Sequence, residues 1–201
     1  MIVQRISCAT GESCLPILAH RNWVEANEVH VNFDIRHRGT SILLDFKVQE
    51  PQVKATCTEI NSPVWEDSCV EFFLALGDDR NYYNFEINAI GTVLGAYGPG
   101  RNSREYISPG DLSQISCTPS LGKGIIVNLE GGIKWELGIV IPAKVLIHHR
   151  ITDLAGIRAR GNFYKCGNGL DNPHFLSWMP VNTDKPDFHR PEFFGDLEFA
   201  P

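Results

Sequence analysis

Hydrophobic and polar residues alternate with a period of two along much of the chain. In Val29-His30-Val31-Asn32-Phe33-Asp34-Ile35-Arg36 the apolar positions take every second place. Successive side chains of a strand point to opposite faces, so this pattern predicts a strand with one face on a core and one in water. Ile42, Leu44, Phe46 and Val48 repeat the pattern, with Leu43 out of phase. His37-Arg38-Gly39-Thr40 supplies a turn between the two runs, so residues 29–49 are expected to form an antiparallel hairpin.

The signal recurs downstream. Val70, Phe72, Leu74 and Leu76 make one strand face, with Glu71 and Phe73 opposite. After the polar turn Asp78-Asp79-Arg80-Asn81, Tyr83, Phe85, Ile87 and Ala89 are expected to point inward, and Tyr82, Asn84, Glu86 and Asn88 outward. Residues 92–97 predict another short strand, and the Gly-, Pro- and Ser-rich segment 98–114 a long loop. Ile125–Leu129 and Trp135–Ile141 are expected as two strands joined by a turn at Glu130-Gly131-Gly132, with Trp135 in the core. Ile157–Tyr164 and Leu197–Phe199 complete the set. The best helix signal is the short run from Pro142 to His149, with Pro at a plausible first position. Many short strands and little helix predict an all-β fold, a jelly-roll-like β-sandwich of two antiparallel sheets.

Composition narrows this picture. A chain of 201 residues with no linker or repeat is read as a single domain, 1–201. Its 11 Phe, 5 Tyr and 4 Trp give it ample material for a core. A net charge of -6 argues against nucleic-acid or anionic-membrane partners, which need a basic face. No apolar run approaches the roughly 20 residues that cross a bilayer. The first 20 residues lack a signal-peptide pattern, so the chain either stays inside the cell or starts after a removed signal. The six scattered cysteines lack zinc-type spacing and are expected as buried small hydrophobes in a reducing compartment.

No nucleophile elbow, P-loop or dinucleotide fingerprint occurs. The most informative stretch is Asn61-Ser-Pro-Val-Trp65-Glu-Asp-Ser-Cys-Val-Glu71. Pro63 and its polar neighbours place Trp65 in a loop ahead of a strand. An indole beside carboxylates and amides suits a sugar, whose C–H face stacks on the ring while its hydroxyls seek placed polar groups. If the two strands pair across the turn at 78–81, Glu71, Glu86 and Asn88 share one non-core face. By default that face of an antiparallel sheet is solvated. Glu71 and Glu86 also admit a glycosidase acid–base pair, a reading ranked below binding. Trp178, beside a polar loop, is a candidate second wall for the same ligand, and Trp23 is ambiguous. The loop histidines His174 and His189 are candidate ligand contacts or structural donors.

Taken together, Val64-Trp65-Glu66-Asp67-Ser68-Cys69-Val70-Glu71-Phe72-Phe73-Leu74, Tyr82 to Gly91, Trp135 to Pro142, Arg160-Gly-Asn-Phe-Tyr164 and His174-Phe-Leu-Ser-Trp178 resemble the family 9 carbohydrate-binding modules of the DOMON-like superfamily. The resemblance implies a β-sandwich that binds a small carbohydrate or polysaccharide end without catalysis. It implies Trp65 and Trp178 as a clamp, with Glu71, Glu86, Asn88 and Arg160 at the site. Glu86 stands where xylanase-attached modules tend to carry arginine. The family often holds structural calcium in loops, and Asp78, Asp79 and Asn81 form a candidate oxygen cluster, without EF-hand-like spacing. The alternatives are a glycoside-active enzyme using Glu71 and Glu86, or a haem domain ligated by Met179 with His174 or His189.

Overall fold

The computed structural model describes residues 3–8 and 16–201. Among the described residues, thirteen strands curl into two facing layers. In chain order they are β1 (Val3–Cys8), β2 (His20–Arg21), β3 (His30–His37), β4 (Ser41–Ala55), β5 (Cys69–Leu76), β6 (Tyr82–Asn88) and β7 (Val93–Gly98), followed by β8 (Glu105–Tyr106), β9 (Ser116–Pro119), β10 (Ile126–Pro142), β11 (Arg158–Cys166), β12 (Phe175–Ser177) and β13 (Gly195–Phe199). One layer runs β8-β7-β6-β5-β11-β13, the other β3-β4-β10-β9. β1 joins them, parallel to β13 along Val3–Ile6 and parallel to β3 along Ser7–Cys8. β12 and β2 extend from β11. The sandwich is therefore mixed, with two parallel pairings where antiparallel sheets were expected.

The expected alternation builds the interior. Phe33 of β3 and Phe46 of β4 meet Phe72 of β5 and Phe163 of β11 between the layers. Phe163 stacks on Phe33 at 4.1 Å and on Phe72 at 4.9 Å between ring centroids. Trp135 is buried there, as its alternation predicts.

One end of this interior is polar. Glu50 of β4, Trp135 of β10 and Lys165 of β11 converge with His174 from the loop before β12. Lys165 Nζ lies 2.8 Å from Glu50 Oε2, 2.7 Å from His174 Nε2 and 2.8 Å from the Cys166 carbonyl. Its three protons thus have three acceptors. Trp135 Nε1–H donates to Glu50 Oε1 at 2.7 Å. Since the ammonium can only donate, His174 Nε2 accepts, and its Nδ1 faces the Asn172 carbonyl. Burial and the neighbouring ammonium both lower the His174 pKa, which keeps the ring neutral. Burial works to raise the Glu50 pKa, but the Lys165 ammonium outweighs it and holds it at about 2.

Some elements differ from expectation. Residues 126–142 form one 17-residue strand, not a hairpin. β4 is long enough to pair with all of it, and the chain absorbs two irregularities, between Ile126 and Leu129 and between Glu130 and Ile133. Gly131 (φ 112°) and Gly132 (φ 72°) take the left-handed backbone at the second bulge. The run from Pro142 to His149 makes only a short 3-10 turn, Ala143–Val145. The Tyr83 hydroxyl accepts the His148 N–H at 3.0 Å, taking a donor that a longer helix would have used. Within the expected loop 98–114, Pro109–Leu112 form one helical turn, capped by Ser108 accepting the Asp111 N–H. Cys57, Cys69, Cys117 and Cys166 carry free thiols, of which Cys69 and Cys166 are buried. Cys14 and the Cys8 side chain lie outside the described residues.

The largest departure concerns the face of β5 and β6 turned away from the main core. Every residue of both strands is buried. A second apolar cluster, including Phe73, Tyr82, Tyr164 and Phe188, covers that face in place of the expected solvent.

Candidate functional site

Strand alternation places Cys69, Glu71 and Phe73 of β5, Tyr82, Asn84 and Glu86 of β6, and Tyr164 and Cys166 of β11 on this covered face. Register then sets the neighbours. Glu71 is directly opposite Glu86 on one side and Tyr164 on the other, and Cys69 is opposite Cys166. The face forms the floor of a cavity of about 330 Å³, with walls that include Trp23, Trp65, Arg101, Arg104, Phe175, Phe188 and His189.

The two indoles arrive on different segments. Trp65 sits in a 3-10 turn, Val64–Glu66, directly before β5. Its carbonyl accepts the Asn168 N–H at 3.1 Å, which ties the turn to the end of β11. Trp23 follows β2 and has φ 65°, a left-handed backbone that a bulky residue seldom adopts. Neighbouring bonds enforce it. Asn22 Nδ2 donates to Ser177 Oγ at 2.9 Å, its Oδ1 accepts the Val181 N–H at 3.1 Å, and Trp23 Nε1–H donates to the Thr183 carbonyl at 2.6 Å. Trp23 also packs on Phe175 and Phe188, with centroids 5.6 and 5.4 Å away. Strain of this kind persists only where surroundings over-determine it, and such residues cluster at ligand sites.

The polar groups form a graded set. Glu86 Oε1 accepts from Asn84 Nδ2 at 2.9 Å and lies 3.3 Å from Arg104 Nη1. Arg104 also donates to His189 Nε2 at 2.7 Å, so His189 Nδ1–H donates to the Tyr82 oxygen at 2.9 Å. Burial and Arg104 push the His189 pKa down to about 2, in accord with this neutral tautomer. Glu71 accepts from the Cys166 thiol at 3.0 Å. Burial, with Cys166 and Glu86 close by, raises the Glu71 pKa well above the usual carboxylate range. Burial lifts Glu86 to about 7, against the pull of Arg104. Two like charges this close cannot both persist in a dry site. The floor therefore offers a neutral carboxyl O–H donor at Glu71, an acceptor at Glu86 and a guanidinium at Arg104.

Of the residues singled out in the sequence, Trp65, Glu71, Glu86 and His189 line this cavity, while Asn88, Arg160, His174 and Trp178 do not. Asn88 is fully committed. Its Nδ2 donates to the Cys57 carbonyl and to Asp67, and its Oδ1 accepts the Thr92 N–H. Arg160 is half-buried on β11, opposite Ala75 and Asp196. Trp178 packs edge-on against Phe163 at 5.8 Å, at the margin of the main core. Of the calcium candidates, Asp79 accepts from the Tyr97 hydroxyl and the Asn81 N–H, while Asp78 is exposed. For haem, His174 faces Lys165 and Glu50, and His189 is held by Tyr82 and Arg104. Sequence reasoning missed Arg101, Arg104 and Phe188 and left Trp23 open. Only the Gly98-Pro-Gly-Arg101 turn hinted at the arginine segment, and it indicates a loop without indicating where the loop lands.

The comparisons with known proteins agree with this architecture. A family profile described as carbohydrate-binding family 9 matches residues 15–199. A crystal structure from Bacteroides uniformis ATCC 8492, described as a candidate carbohydrate-binding protein, superposes with a TM-score of 0.90 at 36% identity, covering 98% of this chain and 97% of that one. A family 9 carbohydrate-binding module from Caldicellulosiruptor kristjanssonii in complex with glucose gives a TM-score of 0.61 at 12% identity, covering 98% and 96%. The same organism's family 9 module in complex with cellotriose gives 0.60 at 12% identity, covering 98% and 94%. Among curated proteins, none matches this chain.

Proposed function

Because the chain belongs to carbohydrate-binding family 9, we propose that it binds a carbohydrate, taking one sugar unit into the cavity floored by Glu71 and Glu86. The observation that carries this reading is the meeting of two indoles and a cross-strand carboxyl pair in one cavity of about 330 Å³. That volume is at the small end of ligand pockets, about 300–1,000 Å³, and suits a single ring better than a chain. In this reading the sugar's C–H face packs on Trp65, with Trp23 as the second aromatic wall where the resemblance had implied Trp178. Glu71 donates to a hydroxyl, Glu86 accepts from one, and Arg104 donates to an oxygen while holding Glu86 in place. The relatives' glucose and cellotriose make β-glucan ends the first ligands to try.

Calorimetric titration with glucose, cellobiose, cellotriose and a panel of other mono- and oligosaccharides tests it. Saturable binding between about 1 mM and 1 μM is expected, or about −4 to −8 kcal/mol. Trp65→Ala and Glu86→Gln should each weaken it at least about tenfold, a loss of about 1.4 kcal/mol. A folded wild type that binds no member of the panel refutes the reading.

A second reading, glycoside hydrolysis, draws on the different surroundings of two adjacent carboxyls, with Glu71 kept neutral and Glu86 held beside Arg104. Release of chromophore from activated aryl-glycosides, abolished by Glu71→Gln, would support it. No release above the buffer rate would exclude it.

A further inference from the structure

The cavity floor holds a group of side chains that sugar recognition does not require. Cys69 of β5 and Cys166 of β11 are cross-strand partners, and Glu71 follows Cys69 by two residues on the same face. One ligand atom from each lies within 4.8 Å of the other two, and among the described residues no other set of three His, Cys, Asp or Glu side chains does this. We propose that Cys69, Glu71 and Cys166 bind a thiophilic divalent cation, Zn²⁺ by its chemistry, with a fourth coordination position open to the cavity.

Three features support this assignment beyond the clustering itself. The donor set is two sulfurs and one carboxylate oxygen, which selects soft or borderline ions over calcium or magnesium. Around a tetrahedral zinc, with Zn–S near 2.3 Å and Zn–O near 2.0–2.2 Å, ligand atoms stand roughly 3.5–3.8 Å apart. Side-chain rotations on a rigid three-strand floor can reach that spacing from the present one. Cys166 and Glu71 line the cavity and Cys69 is fully buried beside Cys166, so an ion has a route in and a vacant side once bound. Three protein ligands with one open position is the pattern of zinc sites that hold water or a substrate oxygen.

The inference does not rest on carbohydrate binding, and its test separates the two. The 201-residue chain, reduced and treated with chelator, is titrated with Cd²⁺ as a spectroscopic probe, then with Zn²⁺ in competition. The expected result is a thiolate-to-metal charge-transfer band saturating at one ion per chain, displaced by Zn²⁺ of about micromolar or tighter affinity, with proton release. Cys69→Ser and Cys166→Ser should each remove the band, and Glu71→Gln should weaken binding at least tenfold. Cys117→Ser, elsewhere in the fold, should change neither. No band in wild type, or a band that survives Cys69→Ser and Cys166→Ser, overturns the proposal. Either result concerns the wild type or a surplus signal, so it stands even if one variant folds poorly. Sugar titration of the metal-free protein reports on the carbohydrate reading alone.

Discussion

Replacing Lys165 by Met removes the ammonium that neutralises Glu50 inside the sandwich and leaves the chain's bulk nearly unchanged. Both side chains are fully shielded, and Nζ lies 2.8 Å from Glu50 Oε2. Breaking a buried pair by removing one partner costs about 3–5 kcal/mol, because the remaining charge is uncompensated. Here Glu50 would keep the Trp135 N–H. The expected loss is therefore about 3–4 kcal/mol, or a fall in Tm of roughly 10 °C for a chain of this size. Urea unfolding followed by tryptophan fluorescence measures it, with the m-value as a check on two-state behaviour. A double variant, Lys165→Met with Glu50→Gln, should lose less than the sum of the two single losses. The pH dependence supplies a second readout. The Glu50 pKa is lowered from 4.5 to about 2 by folding. Its contribution is thus fully present above 4.5 and disappears as pH falls from 4.5 through 2, a change of about 3 kcal/mol. In Lys165→Met the folded pKa of Glu50 rises, so this acid-labile contribution shrinks, and it reverses sign once the folded pKa passes 4.5. A loss below about 1 kcal/mol, or strictly additive singles, would refute the claim that this pair ties the two layers together.

Other consequences are simpler to check. Gly161 lies where an added Cβ would stand 2.4 Å from the Phe73 carbonyl and 2.8 Å from Leu197, so Gly161→Ala should cost roughly 1–3 kcal/mol by overpacking, read from urea midpoints. Arg104→Met should weaken sugar binding by about 1.5–3 kcal/mol in calorimetry through loss of a charged hydrogen bond, with any saturable affinity unchanged counting against its role. His189 is buried neutral, its pKa lowered from 6.5 to about 2. It therefore contributes stability above pH 6.5 that is lost as pH falls toward 2, and His189→Phe should flatten this part of the stability profile.

Much of the sandwich was legible because alternation is a local property. Val29 to Val48 and Val70 to Ala89 declared both their strands and their inward faces, and Trp135 its place in the core. The long β10 was not legible, because a Gly-Gly pair signals a turn or a bulge equally well and only the length of its partner β4 decides. The cavity was half legible. Glu71 and Glu86 could be placed on one face by counting, but polar residues on a strand look the same whether water or a second layer covers them. The covering segments around Trp23, Arg104 and Phe188 come from distant parts of the chain, and loop residues carry no period that fixes where they land. Trp178 and Trp23 differ for the same reason: both sit beside short strands, and only the tertiary fold turns one toward Phe163 and the other into the cavity.

The most direct test of the central claim is a crystal structure of this chain soaked with glucose or cellotriose. The account predicts a sugar ring against the Trp65 indole, within reach of Trp23, with hydroxyls on Glu71, Glu86 and Arg104. A sugar bound instead at Trp178 or Arg160, with this cavity empty, would contradict it.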